Sequence, residues 1–155
     1  MENFIQIAGE RFHVFTVLAT SICRSIRKIK TEEMSEYNLK SPHVSCLYYI
    51  YKSKSLTSKE LCDICDEDKA NVSRSIKHLE ENGYLECHAK QKKRYQSPLE
   101  LTEKGRKIAS VIADKIDSIL RKASEGLCDN DREVFYRSFA IIEGNLKKLC
   151  DGYET

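Results

Sequence analysis

The sequence has 155 residues, with 26 Lys and Arg against 24 Asp and Glu, a net charge of +2. This length suits a single domain, and 32% charged beside 41% hydrophobic residues is typical of a soluble, largely helical protein rather than a disordered one. No apolar run is long enough for a transmembrane helix, so no membrane partner is expected, and the near-neutral charge does not by itself favour nucleic acid.

Seven cysteines are spread over the whole sequence, and their number is odd. Residues 1–9 lack the basic start and the long apolar run of a secretory signal. A framework of disulfides is therefore not expected, because such frameworks belong to short secreted chains. The sequence predicts reduced thiols in a cytoplasmic protein, with no cofactor and no metal.

The pair Cys62 and Cys65 invites a metal or redox interpretation, because residues three apart share one face of a helix. Structural zinc needs four ligands, and no second pair stands at a recognisable spacing. We interpret both as small core residues. Thiol-based redox sensing stays an alternative for this pair and for Cys23, which is next to Arg24.

Helical patterns dominate the first fifty residues. Pro42 suits the first turn of a second helix, because its missing N–H costs little there. A first helix is predicted over residues 4–30, where one apolar stripe recurs every three or four positions: Phe15, Leu18, Ile22, Ile26 and Ile29.

Two short helices follow in close succession. Thr57 and Glu60 form a capping box for a helix over residues 58–65, and Asp68 can cap another over residues 69–82 that ends at Gly83. Two helices joined by so short a turn are typical of a helix-turn-helix. The buried stripe of the second helix is predicted at Val72, Ile76 and Leu79, which leaves its other faces exposed.

After Gly83 the pattern alternates as in β-strands. Residues 84–89 and 99–101 are predicted to form a two-stranded hairpin, or wing, whose tip at residues 90–97 is polar and basic. Pro98 is compatible with an edge strand.

The remaining sequence predicts two long helices. Thr102 caps the first, which runs to about Glu125 and stops at Gly126, and Asp129 or Asn130 starts the last. The apolar stripe of the last helix is close to a heptad seam and consists of Phe135, Phe139, Ile142, Leu146 and Leu149. We expect a mainly α winged helix-turn-helix with long N- and C-terminal dimerisation helices.

The basic charge is concentrated on the second helix of the helix-turn-helix and on the wing. Residues 69–95 hold seven basic and three acidic residues, a net +4, so the other residues sum to −2. These two elements are the ones that would enter the major groove of duplex DNA and follow its backbone. The predicted DNA-contacting residues are Lys69, Ala70, Asn71, Ser73, Arg74, Lys77, His78, Lys90, Lys92, Lys93 and Arg94.

The stretches LTSKELCDICDEDKANVSRSIKHLEENGYLE (residues 56–86) and LELTEKGRKI (residues 99–108) resemble the MarR family of winged-helix transcriptional regulators. The resemblance covers nearly the whole chain. It implies one domain over residues 1–155, with a DNA-binding lobe at residues 40–103 and a dimerisation lobe made of residues 1–36 and 104–150. It also implies a homodimer on an inverted-repeat operator, acting as a repressor whose DNA binding a small-molecule effector modulates.

Two further expectations depend on this resemblance. The wing of the family carries an Asp-x-Arg motif, but this sequence reads Lys93-Arg94-Tyr95, so we expect Arg94 to contact phosphate rather than to insert into the minor groove. An effector pocket between the two lobes would be lined by Phe12, Phe15, His43 and Leu47, the alternative being that these residues only form core.

Two other classes of function compete with DNA binding. The sequence contains no Gly-rich phosphate loop, nucleophile elbow or paired metal motif, so an enzyme is not expected. A winged helix used only for protein contacts is disfavoured by the basic wing and by Asn71, Arg74 and Lys77, which a protein-binding surface would not require.

Overall fold

The computed structural model describes residues 11–65, 67–87 and 97–153, with side chains from Phe15 onward. A 3-10 turn at Ser35–Tyr37 separates the first two helices. In chain order the elements are α1 (Arg11–Glu33), α2 (Ser41–Ser53), β1 (Leu56–Thr57), α3 (Ser58–Cys65), α4 (Lys69–Glu81), β2 (Leu85–Cys87), β3 (Pro98–Leu101), α5 (Glu103–Ala123) and α6 (Asp129–Asp151). The predicted mainly α winged helix-turn-helix is confirmed. Residues 4–10, the predicted start of the first helix, lie outside the described ranges.

The sheet has one strand more than the predicted two-stranded wing. The strand order is β1-β3-β2, and both pairs are antiparallel, with Leu56 opposite Leu99 and Leu85 opposite Leu101. Pro98 was compatible with an edge strand, but β3 is the central strand of the described sheet. Pro98 is its first residue, where a missing N–H disturbs the ladder least.

Local hydrogen bonds set the ends of the two short helices as predicted. Thr57 N–H donates to Glu60 Oε2 at 2.7 Å, and Glu60 N–H donates to Thr57 Oγ1 at 3.3 Å, which is the reciprocal capping box. The Thr57 hydroxyl also donates to Glu60 Oε2, at 2.8 Å, and the bonds that this carboxylate accepts from the Thr57 backbone first and then from the hydroxyl lower the pKa of Glu60. Asp68 Oδ1 accepts from Asn71 N–H at 2.7 Å, and Gly83 ends α4 with a φ of 71°.

The core lies where α2 crosses α4 and meets the sheet. Leu47, Ile50, Leu61 and Leu79 are completely buried there. The first half of α5 adds an apolar face that includes Ile112, which is 1% exposed. Burial of a Leu or Ile side chain stabilises a fold by roughly 1.5–3 kcal/mol, so this cluster fixes the orientation of α4.

The turn between the wing and α5 is closed by an unusually tight contact. A Cβ added at Gly105 would lie 2.0 Å from the carbonyl oxygen of Tyr84. Thr102 Oγ1 accepts from Gly105 N–H at 3.0 Å and donates to the Gly83 carbonyl at 2.7 Å. Lys104 Nζ donates to the Asn82 carbonyl at 2.8 Å and lies 4.4 Å from the centre of the Tyr84 ring. The stretch Thr102–Gly105 therefore joins the end of α4 to the start of α5.

The chain divides into two compact units, residues 1–115 and residues 116–155. In the second unit α6 starts at Asp129, as the sequence predicted, and is capped by Cys128, whose Sγ accepts from Asp131 N–H at 3.4 Å. The predicted seam of α6 is exposed along its whole length in the single chain, from 38% at Ile142 to 60% at Leu149.

Among the helices of the described ranges, none is both long and apolar enough to cross a membrane.

Candidate nucleic-acid interface

Helix α4 has one buried face and one solvent-facing one. Val72 and Leu79 are buried against the core, whereas Ser73, Arg74 and Lys77 are exposed. The separation follows from the helical period, since residues three and four apart share a face. Lys69 and Ala70, at the start of the helix, are exposed as well. The structure thus brings five of the predicted DNA-contacting residues to one accessible surface.

Arg74 is held by a network at the start of α4. Its guanidinium donates to Asn71 Oδ1. The Asn71 amide in turn donates to Glu67 Oε2 at 3.1 Å and to Asp68 Oδ2 at 2.9 Å. Both ends of the Asn71 amide are therefore occupied, so a bidentate grip on adenine by Asn71 would require breaking these bonds. Here Asn71 orients Arg74 instead.

Lys77 forms an ion pair with Glu81 at 3.7 Å, and both side chains are more than half exposed. Surface pairs of this kind contribute about 0–1 kcal/mol. Lys77 can therefore exchange Glu81 for a phosphate at little cost.

The structure corrects the placement of His78. Its ring stacks on that of His43 from α2, with centroids 4.1 Å apart and planes within 9°. Its Nε2 is buried and has no hydrogen-bond partner within the described part of the chain. His78 therefore faces α2 and not the surface that carries Arg74, because the packing of α4 on α2 turns this side of the helix inward.

Of the four residues predicted to line an effector pocket, Phe15, His43 and Leu47 have described side chains. Leu47 is completely buried and belongs to the core, and His43 is stacked on His78. Phe15 is half-buried, and the Phe12 side chain lies outside the described residues. For Leu47 the core alternative is the one that the structure supports.

The predicted wing residues Lys90, Lys92, Lys93 and Arg94 lie outside the described ranges. The strands on either side of them, β2 and β3, are paired through Cys87 and Leu99. In the described part of the chain, no group of three His, Cys, Asp or Glu side chains is arranged to hold a metal ion.

One contributor was missed at the level of sequence. Glu67 supports Asn71, and its spacing of four residues from Asn71 was a usable signal.

A three-stranded sheet, a capped helix-turn-helix and an exposed polar face on its second helix define a winged helix-turn-helix protein. Residues 37–94 match the family model described as MarR family. This stretch, which contains the helix-turn-helix, is therefore similar to the MarR family.

Whole proteins and solved structures show a likeness over a larger part of the chain. The uncharacterized HTH-type transcriptional regulator YwoH of Bacillus subtilis is 28% identical over 77% of this chain and 86% of its own. A putative MarR family transcriptional regulator from Listeria monocytogenes, solved in complex with a 26mer DNA, is 25% identical with a TM-score of 0.74, over 83% of this chain and 85% of its own. MepR from S. aureus, also solved as a DNA complex, shares the fold with a TM-score of 0.76 at 14% identity, over 85% of this chain and 97% of its own.

Proposed function

We propose that this protein is a sequence-specific regulator that binds duplex DNA through the exposed face of α4 and through the wing. The observation that carries the proposal is the exposed face of α4, which offers Arg74, Lys77 and Ser73 on a helix whose opposite face is locked into the core. An α-helix of this kind fits the major groove, where Arg reads guanine and Lys and Ser contact phosphates. Two of the structures with this fold were solved with DNA, which supports the same use here.

The proposal extends to assembly and regulation. The exposed apolar stripe of α6 supports a homodimer, and a two-fold dimer reads an inverted repeat with half-sites about one helical turn, roughly 10 bp, apart. A repressor role and modulation by a small-molecule effector follow from the family resemblance. The free thiols support action in a reducing cytoplasm.

The decisive experiment is selection of bound sequences from a pool of random duplex DNA, with and without candidate small molecules. We expect an enriched inverted repeat, bound with an affinity that falls steeply as salt rises, because bound cations release counterions from phosphates. A winged helix that serves only protein contacts would enrich no sequence and show no such dependence on salt.

The role of the wing is tested by measuring how the affinity for DNA changes with salt concentration. Replacing Lys92, Lys93 and Arg94 together by Gln should flatten the plot of log K against log salt by about 0.9 for each phosphate that the variant no longer neutralises. A matched control replaces Arg121, Lys122 and Arg137, which are exposed on α5 and α6, and should leave the slope unchanged. An unchanged slope in the wing variant would refute the assignment of these residues to the DNA backbone.

A further inference from the structure

One lysine of α5 fastens the end of α1. Lys115 Nζ donates a hydrogen bond at 2.6 Å to the carbonyl oxygen of Glu33, the last residue of α1 and 82 residues earlier in the sequence. The same nitrogen lies 3.3 Å from Glu33 Oε2 and 3.7 Å from Oε1 of Glu36, which belongs to the 3-10 turn that follows α1. A single ammonium group therefore joins α5 to both the helix end and the turn.

The end of α1 is suited to a cation. The last carbonyl groups of a helix have no partner within the helix, and they form the negative end of its dipole. The Lys115 side chain is 32% exposed, whereas Lys77 and Lys107 are 75% and 76% exposed and pair with residues of their own helices. A pair within one helix cannot fix a second element. Lys115 can, because its partners lie on a different one.

The turn that Lys115 holds is also fixed to α2. Met34 and Leu39 stand on either side of it, and each is only 1% exposed. Ser41 N–H, at the start of α2, donates to Thr31 Oγ1 in the last turn of α1 at 3.2 Å. The connection from α1 to α2 is therefore a packed joint rather than a free linker.

This joint lies between the two surfaces that the proposed function uses. Upstream of it, α1 exposes Leu18 and Ile22, which a second copy of the chain would cover in the proposed dimer. Downstream of it, α2 carries α4 through the shared core and through the stack of His43 on His78. All these residues belong to one compact unit, residues 1–115. In a two-fold dimer, the angle between α1 and α2 therefore sets the separation and orientation of the two copies of α4.

We propose that Lys115 is a positioning residue that sets the half-site spacing which the dimer reads. The proposal rests on the proposed function. One extra base pair moves a half-site by about 3.4 Å along the duplex axis and turns it by about 35° around that axis. A fixed joint cannot follow this change, whereas a loosened joint lets α4 follow it. Lys115 thus acts on the spacing between half-sites and not on the bases read within each one.

The contact itself is tested without DNA, by hydrogen exchange of the full chain followed by mass spectrometry. The reporters are Tyr37 N–H and Asn38 N–H, which donate within the turn at 3.1 Å and 2.9 Å. Lys115→Met removes the charge but keeps most of the aliphatic stem. We expect their exchange to become about five- to tenfold faster, because a hydrogen bond to a charged group is lost. Unchanged exchange would overturn the proposal.

Two further variants complete this measurement. Lys107→Met is the matched control, since Lys107 lies on the same helix and pairs only with Glu103, at 2.8 Å, among the described residues. It should leave exchange in the turn unchanged. Glu36→Gln removes one of the two carboxylates from Lys115 and should give part of the effect. It is the informative variant if urea denaturation shows that Lys115→Met does not fold.

Half-site spacing is measured by selection from random duplex DNA, followed by affinities for the selected operator and for versions with one base pair added or removed between the half-sites. We expect the unaltered protein to bind the changed versions at least about tenfold more weakly, and Lys115→Met to bind all three within about threefold. Both proteins should select the same half-site sequence. Lys107→Met should behave like the unaltered protein.

Each other result has a distinct meaning. If Lys115→Met discriminated between spacings as strongly as the unaltered protein, the proposal would be overturned. A changed half-site sequence would also overturn it, because Lys115 would then act on α4 itself. An unaltered protein that selects no DNA, or single half-sites only, would refute the proposed function or the proposed dimer. Hydrogen exchange would still decide whether Lys115 holds the turn.

Discussion

The backbone packed against Gly105 leaves no space for a side chain at this position. This one residue therefore fixes the junction between the wing and α5. The nearest atom to an added methyl group would be a backbone oxygen, that of Tyr84, at 2.0 Å. A backbone atom cannot swing away as the end of a flexible side chain can. Only glycine lets α5 start this close to the strand that leaves α4.

Gly105→Ala should therefore lower the free energy of unfolding by about 1–3 kcal/mol, the usual cost of overpacking, as measured by urea denaturation. Gly144→Ala is the matched control. Apart from the backbone of α6 itself, no atom of the described residues lies within 4 Å of its added methyl group, and the better helix propensity of alanine should stabilise α6 by up to about 1 kcal/mol. Equal urea midpoints for Gly105→Ala and the unaltered protein would contradict the tight contact.

Arg74 is the residue from which we expect base readout. Arg74→Ala should cost about 1–3 kcal/mol of binding free energy and relax sequence preference at one position of each half-site. Asn71→Ala should reproduce part of this effect, because Asn71 holds the guanidinium in place. Lys77→Ala serves as the comparison and should weaken all sequences alike. If Arg74→Ala also weakened all sequences equally, Arg74 would be a phosphate contact.

At the scale of elements, α2 and α4 are joined by the stacked rings of His43 and His78. His43 Nδ1 accepts a hydrogen bond from Lys40 N–H at 3.1 Å, which only the unprotonated nitrogen can do. Burial, followed by the charges of His78 and Lys40, lowers the pKa of His43 to about 4. The contact between the two helices thus depends on His43 staying uncharged.

This arrangement predicts a loss of stability in acid. In the unfolded chain His43 takes up a proton near its ordinary pKa of 6.5, whereas in the folded chain its pKa is about 4. Between these two pH values the unfolded state therefore binds more protons than the folded state. The stabilisation is complete above pH 6.5 and is lost as the pH falls toward 4. Urea midpoints of the unaltered protein should therefore fall more steeply from pH 7 to 4.5 than those of His43→Gln. Parallel curves would show that His43 does not carry this dependence.

At the scale of the whole molecule, two long helices expose stripes of large apolar side chains in the single chain. The stripe of α6 includes Phe139 at 40% and Leu146 at 47% exposure, and α1 exposes Leu18 and Ile22 in the same way. Stripes of this kind on long helices are typical of a dimer interface, which buries them.

Ile142→Asp combined with Leu146→Asp should convert the protein from a dimer to a monomer at micromolar concentration, as measured by sedimentation, because buried unpaired carboxylates are costly. The control Arg137→Asp adds a carboxylate on the opposite side of α6 and should leave the dimer intact. An unaltered protein that sediments as a monomer would contradict the proposed assembly.

The ends of the helices were determined by the sequence alone. Thr57 with Glu60, Asp68 and Gly83 each set a helix boundary through hydrogen bonds or backbone conformations that span only a few residues. Such interactions are local and therefore readable from a pattern of residue types. The apolar stripe of α4 and the exposure of Arg74 followed in the same way from the helical period.

Only the tertiary structure decided which distant residues meet. The pairing of Leu56 with Leu99 makes β3 a central strand, and the stack of His43 on His78 turns a predicted DNA contact inward. No periodicity encodes these contacts, because each joins elements whose relative position is set by burial of the shared core. The charge separation was visible in the sequence, but the fold decided that Arg74 and Lys77 share one exposed surface and that His78 does not.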